Sequence, residues 1–288
     1  MTVPADPTLT DICTTALQRG GQYNPSSTQI TIAETEFIQE VKVDIMRIAA
    51  NHRFLQQRYT TPTIRGLQHY ALPTDHSRTL NIVMLDGPDE WRGTATAGAS
   101  TTITLGFATP ETDDNLCGKY IILTGGTGSG QYRQILSYNP ATQLTTIDTA
   151  WTTNPDNTTT YLVALEDKTL WPHNFEDTPD YYPIQQFVDR PRRASIFNQE
   201  FYIYPTPDKS TYGLLMNYLV DLTKVDEAGS LFSQLLRVWR PLWIQGIACY
   251  TMQRYDDERF PLALQTYQSQ LLNLAKDNPQ YTACDRAR

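Results

Sequence analysis

Residues 120–136, YIILTGGTGSGQYRQIL, carry the clearest structural pattern of the chain. Two short runs of β-forming side chains, 120–123 and 132–136, flank a loop of glycine, threonine and serine, which is typical of a β-hairpin. A glycine-rich loop can also hold a phosphate, but that use needs a helix after the loop and a lysine to grip the phosphate. Here Gln131 and a strand-like run follow the glycines, so the sequence predicts a hairpin loop and not a phosphate site.

This hairpin lies within a long segment of unusual composition. Residues 94–160 contain 18 threonines, and residues 93–165 contain only 7 charged side chains. Further short β-type runs recur between turn residues, at 101–105, 144–147 and 160–163. Evenly spaced short strands of this kind are typical of a compact antiparallel barrel or sandwich. Because helical patterns flank the segment on both sides, we expect an inserted β-domain at 92–165.

Helical patterns precede this segment. Thr8–Asp11 forms a capping box ahead of apolar residues at helical spacing, and Gly20 ends that run. Residues 23–27 have the composition of a turn. Thr31–Glu34 forms a second capping box, which we expect to begin a longer helix that ends near residues 52–55.

Short strands and two further helices are predicted outside the β-rich segment. The strands are expected at 57–64, 69–72, 80–85, 186–189, 194–197, 200–205 and 212–218. Helices are predicted over 232–255, with Pro241 near a start or a kink, and over 259–276. The sequence therefore predicts an α+β fold: a discontinuous helical frame with short strands, 1–91 and 166–288, interrupted by the inserted antiparallel β-domain.

Composition excludes several classes of protein. The chain has 288 residues, 40% of them hydrophobic, which is too apolar for a disordered chain. It contains no stretch of about 18 uncharged apolar residues and no basic, apolar leader, so we expect neither a membrane-spanning helix nor a secretory signal. Its net charge of −8 argues against a protein that grips nucleic-acid phosphates. Its four cysteines form no C-x-x-C pair, so we expect reduced thiols rather than zinc ligands or disulfides.

Few residues form a pattern associated with a particular chemistry. The four histidines lack metal-ligand spacing, and Ser195 lacks the flanking glycines of a hydrolase nucleophile. A carboxylate pair for glycoside hydrolysis stays open, although nothing marks one pair out. We therefore assign no catalytic, cofactor or metal site and expect a protein that is not an enzyme.

Two features of the sequence indicate contact with other proteins. Arg190, Arg192 and Arg193 form the only concentrated positive charge, which fits either a solvated loop or a contact with an acidic partner surface. Tyrosine and tryptophan are abundant in the C-terminal third, and the excess over what a core needs indicates protein–protein contact. An assembly component fits this pattern better than an enzyme.

The sequence also resembles known families in two places. The stretches of the frame that carry the resemblance, together with the capped N-terminal helices, are His69–Asp75, Leu80–Val83, Phe201–Pro207, Leu214–Tyr218, Leu222–Thr223 and Trp239–Ile247. Through them the frame resembles the head-to-tail adaptor (connector) proteins of short-tailed double-stranded DNA bacteriophages. The inserted segment is similar to a small β-module of various phage virion proteins, through Gly118–Ile122, Gly126–Ile135 and Ala150–Asp156.

The resemblance implies a structural role. Such adaptors form a dodecameric ring below the portal protein, extend the DNA channel and receive the tail nozzle. The expected partners are therefore the portal protein, the tail nozzle protein, further copies of this chain, and passing double-stranded DNA that is not read by sequence. The expected location is the neck of the virion, after assembly in the host cytoplasm. An acidic chain suits such a channel, because tight phosphate binding would slow the DNA.

The same resemblance directs the C-terminal segment toward the portal. Residues 278–288 are polar and without periodicity, so we expect a flexible tail. Within it, Tyr281, Arg286 and Arg288 offer an aromatic anchor and two guanidinium groups suited to a partner surface, and are the candidate portal contacts. The alternative function is a tail-associated carbohydrate-binding or cell-wall-degrading protein, suggested by the threonine-rich and aromatic β-domain. A third is a cytosolic enzyme with a cryptic site.

Overall fold

A computed structural model describes residues 8–52, 55–87, 91–106, 116–164, 166–172, 187–210, 212–225 and 230–276. Helices and strands are both abundant, and the fold is α+β, as the sequence predicts. The chain divides into two compact units. The helical unit is Met1–Gln56, Thr74–Arg78 and Leu219–Arg288; the strand unit is Gln57–Pro73 and Thr79–Tyr218.

Six α-helices form the described part of the helical unit. They are α1 (Leu9–Arg19), α2 (Ser27–Ile32), α3 (Ile38–His52), α4 (Ser230–Val238), α5 (Arg240–Arg254) and α6 (Phe260–Lys276). A π-helical turn, Ala33–Phe37, joins α2 to α3. The capping box predicted for α1 is confirmed, since the Thr8 hydroxyl accepts the Asp11 amide and the Asp11 carboxylate accepts the Thr8 amide. The end of α3 at His52 also agrees with the prediction.

The second helix begins earlier than predicted. Its N-cap is Ser26, whose side chain accepts the Gln29 amide while the Gln29 side chain accepts the Ser26 amide. Thr31 instead lies inside the helix, where its hydroxyl donates to the Ser27 carbonyl at 3.0 Å. Two capping boxes follow one another in this sequence, at Ser26–Gln29 and Thr31–Glu34, and the earlier one starts the helix.

The C-terminal helices lie where they are predicted, but the first of them is divided. The chain turns at Trp239, between α4 and α5, and Pro241 lies in the first turn of α5, where its missing N–H group costs no hydrogen bond. Trp243 is fully buried behind this turn and its indole N–H donates to the Leu235 carbonyl at 3.1 Å. The division therefore places a large aromatic side chain in the core of the unit.

Seventeen strands occur in the described residues. They are β1 (Gln56–Pro62), β2 (His69–Ala71), β3 (His76–Asp86), β4 (Arg92–Thr94), β5 (Ala97–Ala99), β6 (Thr102–Thr104), β7 (Tyr120–Gly125), β8 (Tyr132–Asn139), β9 (Leu144–Ile147), β10 (Thr160–Ala164), β11 (Glu166–Thr169), β12 (Trp171–Pro172), β13 (Val188–Asp189), β14 (Arg193–Phe197), β15 (Glu200–Tyr204), β16 (Thr206–Pro207) and β17 (Gly213–Val220). They form four sheets, with the orders β1-β17-β3-β11, β4-β10-β7-β8-β9-β6-β5, β12-β14-β15-β2 and β13-β16.

The seven-stranded sheet confirms all five strands predicted within 92–165 and adds β4 and β5, which the sequence did not reveal. Its ladders are antiparallel, with Tyr120 opposite Gln134 and Ile135 opposite Ile147. In the described residues this sheet is open and forms no closed barrel. One side covers a core of its own that includes Ile103, Tyr138 and Trp151.

The other side of the seven-stranded sheet shares a core with the sheet that contains β3 and β17. Val83, Leu85 and Leu215 come from that second sheet, and they cluster with Ile122 and Leu162. The segment predicted as an inserted domain lies within the strand unit and packs against residues that precede and follow it. Its boundaries at 92 and 165 stay a prediction.

The two strands around Thr206–Pro207 do not pair with each other. β15 pairs with β14 and β2, whereas β17 lies between β1 and β3. β14 and β15 form a two-residue hairpin in which Asn198 and Gln199 both have positive φ, the geometry of a type I′ turn. Of the strand predicted at 186–189, only Val188–Asp189 is described as a strand, and residue 186 lies outside the described residues.

Candidate functional site

The outer face of α6 is an exposed helix surface without charge. Ala263, Tyr267 and Leu271 point inward and are buried, whereas Leu262 and Leu272 on the opposite face are 70% and 55% exposed. The other exposed side chains on that face are polar but uncharged, at Gln265, Thr266, Ser269 and Asn273. Lys276, at the last position, is the first charged residue of the helix. We call the surface formed by Leu262, Gln265, Thr266, Ser269, Leu272 and Asn273 the α6 outer face.

A carboxylate on α3 fixes α6 in the helical unit. The Tyr250 phenol of α5 donates to Asp44 Oδ2 at 2.5 Å, and the Tyr267 phenol of α6 donates to the same oxygen at 3.3 Å. Burial, followed by the nearby Asp44 charge, raises the pKa of Tyr267, so its hydroxyl stays protonated and able to donate. Three helices are therefore tied at one atom, and the α6 outer face has a defined orientation within its unit.

Most of the aromatic residues in the C-terminal third are core residues. Tyr204, Tyr212, Trp243 and Tyr267 are all less than 4% exposed, whereas Tyr255 is 48% exposed. These four belong to the part of the aromatic set that serves the core, and contact with other proteins through the remaining aromatic residues stays a prediction. The exposed large hydrophobic side chains of the helical unit are Leu262 and Leu272 of α6 together with Tyr23, Val238 and Tyr255.

The predicted basic run divides into different environments, and Arg190 is held inside the strand unit. Its guanidinium lies 3.1 Å from Asp86 Oδ2, and the Arg92 guanidinium contacts the other oxygen of the same carboxylate. All three side chains are less than one-third exposed. Charge-assisted hydrogen bonds of this kind are strong, so Arg190 has a structural role as a link between β3, β4 and the segment after β13.

Arg192 and Arg193 are placed differently. The Arg192 side chain is 71% exposed, and among the described residues it forms an ion pair with Asp189, at 3.5 Å. An exposed pair with this geometry contributes little to stability. Arg193 is half-buried at the start of β14, opposite Tyr204. Contact with an acidic partner stays a prediction for the basic run, and Arg192 is the member whose side chain is most accessible to one.

The residues that carry the resemblance to the virion β-module are joined to one another by hydrogen bonds, and we call this network the lock. The Gln131 side chain donates to the carbonyls of Gly128 and Thr153 at 3.0 and 2.9 Å, and accepts the amides of Thr152 and Thr153 at 2.7 and 3.3 Å. These four hydrogen bonds tie the glycine-rich loop to the segment after β9. The hairpin predicted from the glycine spacing is confirmed, and its loop is held by protein groups.

A second part of this lock surrounds Asp156. Its carboxylate accepts hydrogen bonds from the hydroxyls of Thr158 and Thr127, at 2.6 and 2.8 Å, and these bonds lower the pKa of Asp156. Gly126 has a φ of 71°, and a Cβ there would lie 2.1 Å from the Thr158 carbonyl oxygen. These hydrogen bonds and the glycine conformation therefore account for the motif residues through the local structure alone, and they indicate no ligand.

A cleft of about 440 Å³ opens in the strand unit. Its floor is one face of the sheet that contains β1, β17 and β3. On this face Val83 and Leu215 are buried, whereas Asn81 and Asn217, two positions away along the same strands, are more exposed. The opposite wall is the start of β7, at Gly118–Tyr120, and Arg58 of β1 lines the rim. The cleft thus continues the shared core of the two sheets as an open, polar-edged cavity.

Neither a protein-family model nor a curated protein sequence matches this chain.

Several predicted positions lie outside the described residues. These are the portal contacts Tyr281, Arg286 and Arg288, together with the rest of the tail at 278–288. In the described part of the chain, His, Cys, Asp and Glu side chains form no group of three that could hold a metal ion. None of the described helices combines the length and the apolarity needed to cross a membrane. The thiols of Cys13 and Cys249 are buried, and that of Cys117 is exposed.

Sequence reasoning missed the cleft residues. Arg58, Asn81, Lys119 and Asn217 lie in four separate segments. The last three belong to stretches that carry the resemblance, but none of the four forms part of a ligand-binding motif. Each is a polar residue at an alternate position of a predicted strand or at its edge, which by itself indicates only a solvent-facing side chain. The α6 outer face had a signal that could have been used, since a 17-residue helix with one charged residue is unusually poor in charge for a surface helix.

Proposed function

We propose that this chain is a structural virion protein, a head-to-tail adaptor that forms a ring between the portal protein and the tail nozzle and extends the DNA channel. It is proposed to act without enzymatic activity or cofactor. The sequence resemblance of the frame supports this function. The structural observation that carries it is the α6 outer face, a charge-free helix surface with two exposed leucines.

Charge explains why that observation favours a ring of identical copies. Each chain carries a net charge of −8, so copies packed side by side repel one another wherever their charged surfaces meet. A lateral contact is least opposed where charge is scarce, and the centres of protein interfaces are depleted of charge. The α6 outer face meets this requirement, and we assign it to the lateral contact with a second copy of the chain.

The geometry of a ring also suits a single face of this kind. In a cyclic assembly each contact joins two different surfaces of neighbouring copies, so one α6 outer face serves each interface. A single helix face gives a weak contact. Docking on a ring-shaped portal raises the effective concentration of neighbouring copies, which lets weak contacts close a ring. The tail residues Tyr281, Arg286 and Arg288, and Arg192 of the basic run, are proposed as partner contacts in the same assembly.

The test is negative-stain imaging and sedimentation of the purified chain, alone and with its portal protein. We expect monomers or weak oligomers alone, and a twelve-fold ring on the portal. A chain that never joins the portal would overturn the proposed function. A stable free dodecamer at micromolar concentration would keep the ring but contradict its dependence on the portal as a template.

A further inference from the structure

The cleft of the strand unit has an electrostatic character opposite to that of the whole chain. None of its eleven lining residues is acidic, whereas Arg58 and Lys119 are both cationic. The two cations approach from different sheets, Arg58 from β1 and Lys119 from the residue before β7. In a protein of net charge −8, two cations lining a concave cavity without a carboxylate favour an anionic ligand.

The Arg58 side chain lies near two tyrosines, Tyr132 and Tyr120. A hydrogen bond to the Tyr132 phenol raises the pKa of Arg58, and Tyr120 adds to the same effect. The Tyr120 and Tyr132 rings lie 6.0 Å apart, between centroids. A preorganised guanidinium can bind a carboxylate through two parallel hydrogen bonds at a small entropic cost.

The remaining surface of the cleft combines amide groups with an apolar floor. Asn217 Nδ2 donates to Asn81 Oδ1 at 2.6 Å, which fixes both side-chain amides at the edge of the floor. Paired amides present donors and acceptors to a ligand with hydroxyl groups. Beside them, Val83 and Leu215 offer an apolar surface to C–H groups. A ligand that matches all three features has an acidic group, several hydroxyls and an apolar face.

We propose that this cleft is a binding site for an acidic sugar, a saccharide unit that carries a carboxylate. The carboxylate lies between Arg58 and Lys119, the hydroxyls bond to the Asn81–Asn217 pair, and the C–H face of the ring rests on the apolar floor. The cavity volume of about 440 Å³ falls at the lower end of the range for small-molecule sites, which accommodates one or two sugar rings. This inference is independent of the ring proposed above, because all of the cleft residues lie in the strand unit.

The test uses two probes that differ only in the acidic group, D-galacturonate and D-galactose, with the full chain in isothermal titration at low salt. We expect galacturonate to bind at least about tenfold more tightly than galactose, because hydrogen bonds to a charged group are worth more than neutral ones. Equal affinity for the two sugars would show that the cations do not face the ligand and would overturn the proposal. Inorganic phosphate that binds as tightly as galacturonate would reveal a bare anion site, which also overturns it.

Variants locate the binding. Lys119→Gln should weaken galacturonate binding by about tenfold, and Asn81→Asp should weaken it further, because the new carboxylate repels that of the ligand. Both side chains are at least partly exposed, so both variants should fold, as equal thermal midpoints would show. Arg65→Gln, an exposed arginine of the same unit outside the cleft, is the matched control and should bind like the wild type. Unchanged binding by Asn81→Asp would place the sugar elsewhere and refute the assignment.

Discussion

Replacing Leu262 and Leu272 by alanine should weaken assembly of the chain on the portal while leaving the monomer intact. Both leucines lie on the α6 outer face, which we assign to the contact between neighbouring copies. Alanine removes most of the apolar surface without adding charge, and it favours a helix at least as well as leucine does. The change therefore acts on the interface and not on the helix.

The exposed fractions of the two side chains set the size of the effect. Full burial of a leucine side chain is worth about 1.5–3 kcal/mol. Leu262 has 70% and Leu272 has 55% of its surface available for burial in the contact. Scaled by these fractions, the double variant should lose about 2–4 kcal/mol for each lateral contact, which corresponds to a pairwise affinity that is weaker by about 30- to 700-fold.

Sedimentation velocity across a concentration series, with portal rings as the template, measures this loss. The matched control is Leu136→Ala, since Leu136 has the same 55% exposure as Leu272 but lies on β8 in the strand unit. We expect the control to assemble like the wild type and the double variant to need a much higher concentration. Both should retain the thermal midpoint of the wild type, because all three leucines are exposed. Assembly of the double variant at the wild-type concentration would refute the assignment of the α6 outer face.

Three further predictions concern the strand unit. Ile122→Ala should lower the free energy of unfolding by about 2–5 kcal/mol, because its fully buried side chain joins the two sheets. Urea denaturation measures this loss, with Leu144→Ala, at an exposed leucine, as the control. Equal denaturation midpoints for the two variants would contradict the prediction. Gln131→Ala should cost about 1–3 kcal/mol, because four backbone groups lose their partner, and an unaltered thermal midpoint would show that the lock is dispensable. Burial raises the pKa of Tyr161 to about 12 from its ordinary 10.0, so the stability that its neutral phenol contributes is complete below pH 10.0 and is lost as pH rises through about 12. Tyr161→Phe should flatten this alkaline part of the stability profile in denaturant titrations, and an identical profile would contradict the assignment.

Local patterns in the sequence predicted the elements well where the signal lay within a few residues. The alternation in Tyr120–Leu123 and Tyr132–Leu136 predicted two strands, and both are present in the seven-stranded sheet. The capping box at Thr8 predicted the start of α1 to the residue. The same kind of signal failed at Thr31, because Ser26 and Gln29 form an equally good box one turn earlier. A local motif identifies an element, but it cannot choose between two motifs that compete for the same helix.

The pairing of strands and the cleft depended on distant contacts. Residues 200–204 and 213–220 are both strands, yet Thr206–Pro207 pairs in parallel with Val188–Asp189 and directs the chain into a different sheet. The polar residues of the cleft are far apart in the sequence, and they lie together only because the fold brings four separate segments to the same cavity. No periodicity in a strand indicates which other strand will lie opposite its exposed side, so neither feature could be predicted from pattern alone.

The resemblance of the β-module and the two candidate surfaces carry different kinds of information. Gln131 and Asp156, which lie in the stretches that carry the resemblance, form hydrogen bonds within the strand unit, so their contacts account for local structure and assign no role. A role must come from residues that the fold leaves accessible, and the two accessible surfaces that we propose as binding sites are the α6 outer face in one unit and the cleft in the other. Leucine variants on α6 should alter assembly and leave sugar binding unchanged, whereas Asn81→Asp should do the reverse. A variant of either surface that changed both properties would show that the two units are coupled, and the two functions would then have to be assigned together.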